Sequence, residues 1–330
     1  MDELINGFTD QLERAIEIGE KAKLSFGSAA IHNILITGLG GSGIGGTIVA
    51  ELTSNQIKIP VVVNKNYFIP AFVNENTLVI VSSYSGNTEE TLNAMKEAFS
   101  KEAKIVCITS GGKVLEFAQC NGCDYITIDP GMPPRACFGY SFTQLFYILS
   151  FFDLIKEDFK KHMKKAIQLL NEDKDDIHAK AKEIANQIHD KMPIIYCDAA
   201  IEGVAIRFRQ QLNENSKILC WHHVVPEMNH NELVGWKNSH PKMTTIFLRN
   251  ENDFDRNQAR MEFSKSVAKF YDANVIEIYS KGKSAIERSL YLIHLTDWVS
   301  FYVSELRGVD PVEIEVILKL KNQLASMPLN

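Results

Sequence analysis

Short apolar runs recur along the chain, each followed by a stretch in which apolar residues return every three or four positions. Runs such as Ile34-Leu-Ile36 and Leu78-Val-Ile-Val81 are rich in branched residues and do not alternate with polar ones, as in parallel strands buried on both faces. The pattern predicts strands at 33–37, 59–63, 77–81, 104–108 and 125–128 with helices between them, then an aromatic-rich buried helix over 138–152. Leu4, Phe8, Leu12 and Ile16 lie at helical spacing, so residues 1–30 predict an amphipathic helix covering the first sheet. Residues 155–190 are charge-rich and predict a solvated pair of connecting helices. The alternation then restarts, with strands at 193–197, 217–221, 244–248 and 273–278 and helices at 201–212, 256–271, 284–305 and 311–325. Such alternation predicts an α/β fold in two halves, each a parallel β-sheet flanked by helices. The expected boundaries are 1–153, a helical connector at 154–190, and 191–330.

Composition narrows the class of protein. A chain of 330 residues suits two domains, and 45% hydrophobic with 23% charged residues is ordinary for a globular protein. A net charge of −6 offers no basic face for nucleic acid, yet leaves room for a small phosphorylated ligand held by a local donor cluster. No apolar run reaches the roughly 18 residues of a membrane span, and Met-Asp-Glu-Leu-Ile is not the start of a signal peptide. A cytoplasmic location is expected. Six cysteines, at Cys107, Cys120, Cys123, Cys137, Cys197 and Cys220, fit a reducing compartment. Cys120-Asn-Gly-Cys123 lacks a second pair at zinc spacing, and Cys220-Trp-His-His223 with His230 and His240 lacks a regular ligand spacing, so no metal is expected.

Two loops carry the first chemical signal. The run ending at Val81 leads into Ser82, Ser83, Ser85, Gly86, Asn87 and Thr88 and then a helix, with Asn87 as the expected N-cap and Glu90 as its capping-box partner. Hydroxyls and unpaired N–H groups at a helix N-terminus attract a phosphate, although the same residue types also build an ordinary turn. Gly38-Leu-Gly-Gly-Ser-Gly43 matches a dinucleotide fingerprint in its glycines, Gly38, Gly40 and Gly43. The second strand, however, ends in Asn64-Lys-Asn66 without the carboxylate that would hold a ribose, so no nicotinamide cofactor is expected. Gly40, Gly41 and Ser42 would instead face the same crevice as the serine turn.

Four further residues are candidates. Arg135 follows the rigid Pro133-Pro134 and is either a surface arginine or a guanidinium aimed into the crevice. Glu214 ends a helix whose stripe is Ile201, Val204, Ala205, Phe208 and Leu212, and His230 sits in a polar stretch after Pro226; each could be merely solvated. Asp310-Pro311 with Glu313 predicts the start of the last helix. Lys321 falls on its apolar stripe of Ile317, Leu320 and Leu324 while Lys319 points away; an ammonium there either meets an anion or snorkels to the surface.

Taken in order, Gly38-Leu-Gly-Gly-Ser-Gly-Ile44, Ser83-Tyr-Ser-Gly-Asn-Thr-Glu-Glu-Thr91, Pro134-Arg135, Glu214-Asn-Ser-Lys217 and His230-Asn-Glu232 resemble the bifunctional phosphoglucose/phosphomannose isomerases over essentially the whole chain. The resemblance implies two sugar isomerase (SIS) domains, each a flavodoxin-like three-layer sandwich. It implies that Ser42, Ser83, Ser85 and Thr88, with the amides of Gly40 and Gly41, hold a sugar phosphate. Glu214 would move a proton between C1 and C2 through a cis-enediolate, and Arg135 would stabilise the developing charge. His230 and Lys321 would assist ring opening, His230 coming from the other subunit of a homodimer. The implied substrates are glucose 6-phosphate, mannose 6-phosphate and fructose 6-phosphate, with no metal or cofactor. A phosphosugar-binding regulator without catalysis, or an isomerase for another phosphosugar, is the alternative. The chain departs from the family near the start of the last helix, where Val312-Glu-Ile-Glu315 lacks the threonine associated with mannose.

Overall fold

The computed structural model describes residues 1–25 and 30–327. Two short N-terminal helices, α1 (Asp2–Asn6) and α2 (Phe8–Lys21), precede the first sheet. The single helix expected over 1–30 is thus interrupted at Gly7 and ends at Lys21, and residues 26–29 of that expectation lie outside the described residues. The first half continues as β1 (Asn33–Thr37), α3 (Gly40–Thr53), β2 (Val61–Asn64), β3 (Thr77–Ser82), α4 (Glu89–Ser100), β4 (Lys104–Thr109), α5 (Gly112–Asn121), β5 (Asp124–Thr127) and α6 (Phe138–Phe151). Its strands form a parallel sheet in the order β2-β1-β3-β4-β5, with Ile36 beside Val63 on one side and Ile80 on the other. Every residue of β3 is buried, as an unalternating apolar run demands when helices cover both faces.

The second half comprises α7 (Phe159–Glu172), α8 (Lys174–Ile188), β6 (Met192–Asp198), α9 (Glu202–Glu214), β7 (Trp221–Val225), β8 (Met243–Arg249), α10 (Asp255–Phe270), β9 (Asn274–Tyr279), α11 (Ala285–Arg307) and α12 (Glu315–Ala325). Its parallel sheet runs β7-β6-β8-β9. The whole is α/β, with two parallel sheets flanked by helices. Helix α6 is buried from Phe138 through Leu149 and packs on α2 and α3, and α3 in turn packs on α9. One continuous apolar cluster therefore takes residues from both sheets, Ile34 and Ile80 with Ile195 and Leu248. Among the described residues, no helix is long and apolar enough to cross a membrane.

Four local expectations are corrected. Helices α7 and α8 are not simply solvated, because Phe159, Met163, Ile167, Ile177 and Ile184 bury one face against α2 and α11. The strand expected at 217–221 begins only at Trp221. Lys217 adopts φ 54° and its ammonium bonds three carbonyls, so this stretch turns away from the sheet before pairing starts. The last helix begins at Glu315 rather than at Pro311. Asp310 accepts the Val312 N–H in a local turn at 2.8 Å, and the Pro311 carbonyl is drawn outward to Arg135. Helix α4 starts after Thr88 without a side-chain cap, because the Asn87 amide instead bonds the Ser85 carbonyl and accepts the Lys113 N–H.

The halves are also joined through an acid. Glu51, near the end of α3, accepts the Gly203 N–H at the start of α9 at 2.8 Å through one oxygen and 3.1 Å through the other. Burial raises its pKa to about 8, with Glu202 adding repulsion against the stabilising Gly203 bond. Between about 4.5 and 8 the folded chain therefore holds a proton that the unfolded chain has released. Stability falls as pH rises through that window, by an amount on the order of a few kcal/mol, and levels off above it. Urea unfolding at pH 5 and pH 8 should show this fall in the wild type and a clearly smaller one in Glu51→Gln.

Candidate active site

The site forms where the carboxyl ends of β1 and β3 meet two helix N-termini. Gly38 allows the backbone of Ser82 to pass close by, since a Cβ would lie 2.5 Å from the Ser82 carbonyl. Helix α3 begins at Gly40 (φ 53°) and α4 at Glu89, neither with a side-chain cap, so their first N–H groups stay open to an anion. Ser42 ties the two turns together: its Oγ accepts the Tyr84 N–H at 3.0 Å and its carbonyl accepts the Ser82 hydroxyl at 3.2 Å. Ser83 is buried with its hydroxyl 3.4 Å from that of Thr88, while Ser85 is exposed and accepts the Asn87 N–H at 3.3 Å. Gly86 holds the turn at φ 66° against the Gly111 carbonyl, a contact that a side chain would block.

Arg135 adjoins this crevice directly. A Cβ on Gly41 would come within 2.6 Å of the Pro134 carbonyl and 3.0 Å of the Arg135 Cα, so the glycine loop lies flat against the short 3-10 turn Pro134–Cys137. The arginine is buried, not superficial, and each of its three nitrogens has a partner. Nε donates to the Asn215 Oδ1 at 2.8 Å, Nη1 to the Glu214 Oε2 at 3.3 Å, and Nη2 to the Pro311 carbonyl. Burial lowers the pKa of Arg135, and the charges of Glu214 and Asp310 oppose that fall. Glu214, the last residue of α9, keeps its side chain 30% exposed, so the carboxylate is both paired and reachable.

Several partners of this pair were not singled out in the sequence. Arg207 donates to the Asp297 carboxylate at 2.6 Å and to the Arg135 carbonyl at 3.2 Å, while its guanidinium lies over the Phe138 ring. Gln211 donates to the other Asp297 oxygen at 3.1 Å. Lys217 bonds the carbonyls of Glu214, Asp310 and Glu313, which pins the segment before α12 to the end of α9. Asp297 and Ser300 do leave a sequence signal: polar groups inside the apolar run of α11, where burial requires partners.

Neither of the other two candidates is bonded to the pair among the described residues. His230 is exposed on a 3-10 turn, Glu227–His230. That turn is anchored by Asn229, which donates to the Ser264 hydroxyl at 2.9 Å, and the next turn by Glu232, whose carboxylate accepts from Tyr196 at 2.6 Å and from the Trp221 indole at 3.1 Å. Lys321 is not on a buried stripe. No residue of α12 is buried, Val316 being 79% exposed and Leu320 56%. Lys319 pairs with Glu315 along the helix at 3.6 Å. Among the described residues, no hydrogen bond or ion pair joins His230 or Lys321 to Arg135 or Glu214. The histidines after Cys220 separate, His222 turning to Glu202 at 3.3 Å and His223 to its neighbour's N–H.

Two parallel sheets joined through α3, α6 and α9, with a hydroxyl-lined crevice at the first, define a protein of tandem SIS domains. Residues 29–121 match the SIS domain model, and residues 177–324 match the bacterial phospho-glucose isomerase C-terminal SIS domain. A curated bifunctional phosphoglucose/phosphomannose isomerase of Caldicellulosiruptor bescii is 39% identical over 339 aligned positions, covering 99% of each chain. Another, of Aquifex aeolicus, is 36% identical and covers 88% of this chain and 90% of its own. A solved structure titled a putative phosphosugar isomerase from Clostridium difficile shares the fold at TM-score 0.76 and 19% identity, covering 100% of this chain and 99% of that one. The chain belongs to the bifunctional phosphoglucose/phosphomannose isomerase family.

Proposed function

We propose that the chain interconverts glucose 6-phosphate with fructose 6-phosphate, and mannose 6-phosphate more slowly, through a cis-enediolate. The observation that carries this reading is the Arg135–Glu214 pair, 3.3 Å apart, with Arg135 on the turn that packs directly against the glycine loop. The phosphate would sit on the open N–H groups of α3 and α4, with Gly40, Gly41, Ser42, Ser83, Ser85 and Thr88 around it. That anchor spends remote binding energy on holding C1 and C2 beside Glu214. The carboxylate takes the proton from C2 of the aldose as electrons move onto the carbonyl oxygen at C1; the C2 hydroxyl proton passes to that oxygen, and the carboxylate returns a proton to C1 as the C2 carbonyl forms, giving the ketose. Arg135 stabilises the oxygen that carries the charge in between. The carboxylate returns one proton for the one it takes, and its exposure lets that proton exchange with solvent between the two steps; the scheme calls on neither metal nor cofactor.

Ring opening needs a donor at the ring oxygen and an acceptor for the anomeric hydroxyl proton, roles suited to His230 and Lys321. In this reading a second copy in a homodimer brings His230, which is exposed on its 3-10 turn, to this site. The absence of a hydroxyl between Val312 and Glu315 supports the lower rate with mannose 6-phosphate. A coupled assay with the two aldose phosphates side by side, in buffer containing EDTA, tests the reading. Turnover of glucose 6-phosphate that persists with EDTA, and exceeds that of mannose 6-phosphate, is the expected result. No turnover of either sugar, or turnover that requires added metal, would refute it.

A further inference from the structure

We infer that Asn215 is a positioning residue that sets the direction and the net charge of the Arg135–Glu214 pair, an inference that rests on the base and cation assigned above. Asn215 is fully buried, and its amide lies between the Arg135 Nε at 2.8 Å and the Ser300 Oγ at 2.9 Å. The orientation of that amide follows from its partners. Ser300 donates its own proton to the Asp297 carbonyl at 2.7 Å, so its oxygen is left to accept the Asn215 Nδ2–H. The Asn215 carbonyl oxygen must then face Arg135, whose Nε can only donate. The guanidinium plane is thereby fixed, and Nη1 is aimed at Glu214. A relay from the interior of α11 through Ser300 and Asn215 thus holds the pair in register.

The choice of amide over acid matters as much as the geometry. An aspartate has the same shape and would also accept from Nε. It would, however, neutralise the guanidinium and bring a second anion next to Glu214. Like charge disfavours ionisation of the base, and a paired arginine has less attraction left for an enediolate. The other charged groups facing this spot are Lys217, Asp310 and Glu313 on the loop side, with Arg207 and Asp297 behind. These are common to the wild type and the variant, so the difference between them isolates position 215.

Steady-state kinetics with glucose 6-phosphate from pH 5 to 9 tests this on the full-length protein. Asn215→Asp is expected to raise the acid limb of kcat/KM by roughly one pH unit. Its kcat should fall about tenfold or more while KM stays within about threefold, because the phosphate loops are untouched. An acid limb and a kcat equal to the wild type would overturn the inference. Should the buried charge unfold that variant, Ser300→Ala cuts only the far end of the relay; it is expected to lower kcat about tenfold at unchanged KM. A wild-type kcat in Ser300→Ala would likewise overturn the inference. Glu214→Gln, assayed in parallel, separates the two levels. If it keeps wild-type turnover, the assignment of the base fails and this inference with it. If it is inactive while Asn215→Asp behaves as wild type, only the inference fails.

Discussion

Glu214→Gln is expected to lower kcat for glucose 6-phosphate by about a thousandfold to ten-thousandfold, the scale of a lost general base. The substitution keeps the shape of the side chain and an oxygen that can still accept from Arg135 Nη1. What it removes is the ability to take a proton from carbon. Binding should survive, since the proposed phosphate site lies in the turns after β1 and β3 and not on α9. Isothermal titration with fructose 6-phosphate should therefore give an affinity within a few-fold of the wild type. The partial exposure of this carboxylate matters here: a substrate carbon can approach an oxygen that is paired on one side and open on the other.

The second large effect is expected at Arg135. Lysine keeps the charge but has no fork, and a single ammonium cannot reach Asn215, Glu214 and the Pro311 carbonyl at once. Arg135→Lys should lose about a hundredfold in kcat, and Arg135→Met about a thousandfold, in the range seen when a charge-stabilising donor is removed. An anionic analogue of the enediolate should lose more affinity than the substrate, because the cation acts on charge that develops during the reaction. Both variants should also melt earlier. The Pro311 carbonyl and the Asn215 amide would be left without their buried partner, which costs about 1–3 kcal/mol for each unsatisfied group. The segment leading to α12 is expected to loosen with them, held by Lys217 alone.

Much of this was legible in the chain because the strands of the first sheet are buried on both faces. Leu78 to Val81 reads as a strand without ambiguity, and whatever follows such a strand in a parallel sheet lies at its carboxyl edge. The glycine and serine turns accordingly fall at the carboxyl ends of β1 and β3. Their internal bonding is not legible: Asn87 looks like a cap, but its amide donates to Ser85 in its own turn and accepts from Lys113 at the start of α5. Lys217 to Trp221 looks like a strand because Ile218 and Trp221 are apolar, yet Leu219 is 82% exposed and Lys217 bends the chain away. Asp310-Pro311 likewise has every letter of a helix start, and a distant arginine takes the Pro311 carbonyl. In each case a long-range hydrogen bond outweighed a local preference of about 1 kcal/mol. An apolar stripe buries Lys321 only where the helix covers that face within its own chain, and α12 does not. Asn215 could be read as a neighbour of Glu214, but nothing local announces that its amide bridges two elements 80 and 85 residues away.

Solvent exchange during turnover tests the central claim most directly, that one carboxylate at Glu214 carries the proton between C1 and C2. Fructose 6-phosphate in deuterium oxide should acquire deuterium at only one of its two C1 positions in the presence of the wild type, as seen by proton NMR, because a single base works on one face of the enediolate. Glu214→Gln should show no exchange above background on the same time scale. Exchange at the wild-type rate in that variant, or labelling of both C1 positions by the wild type, would contradict the account.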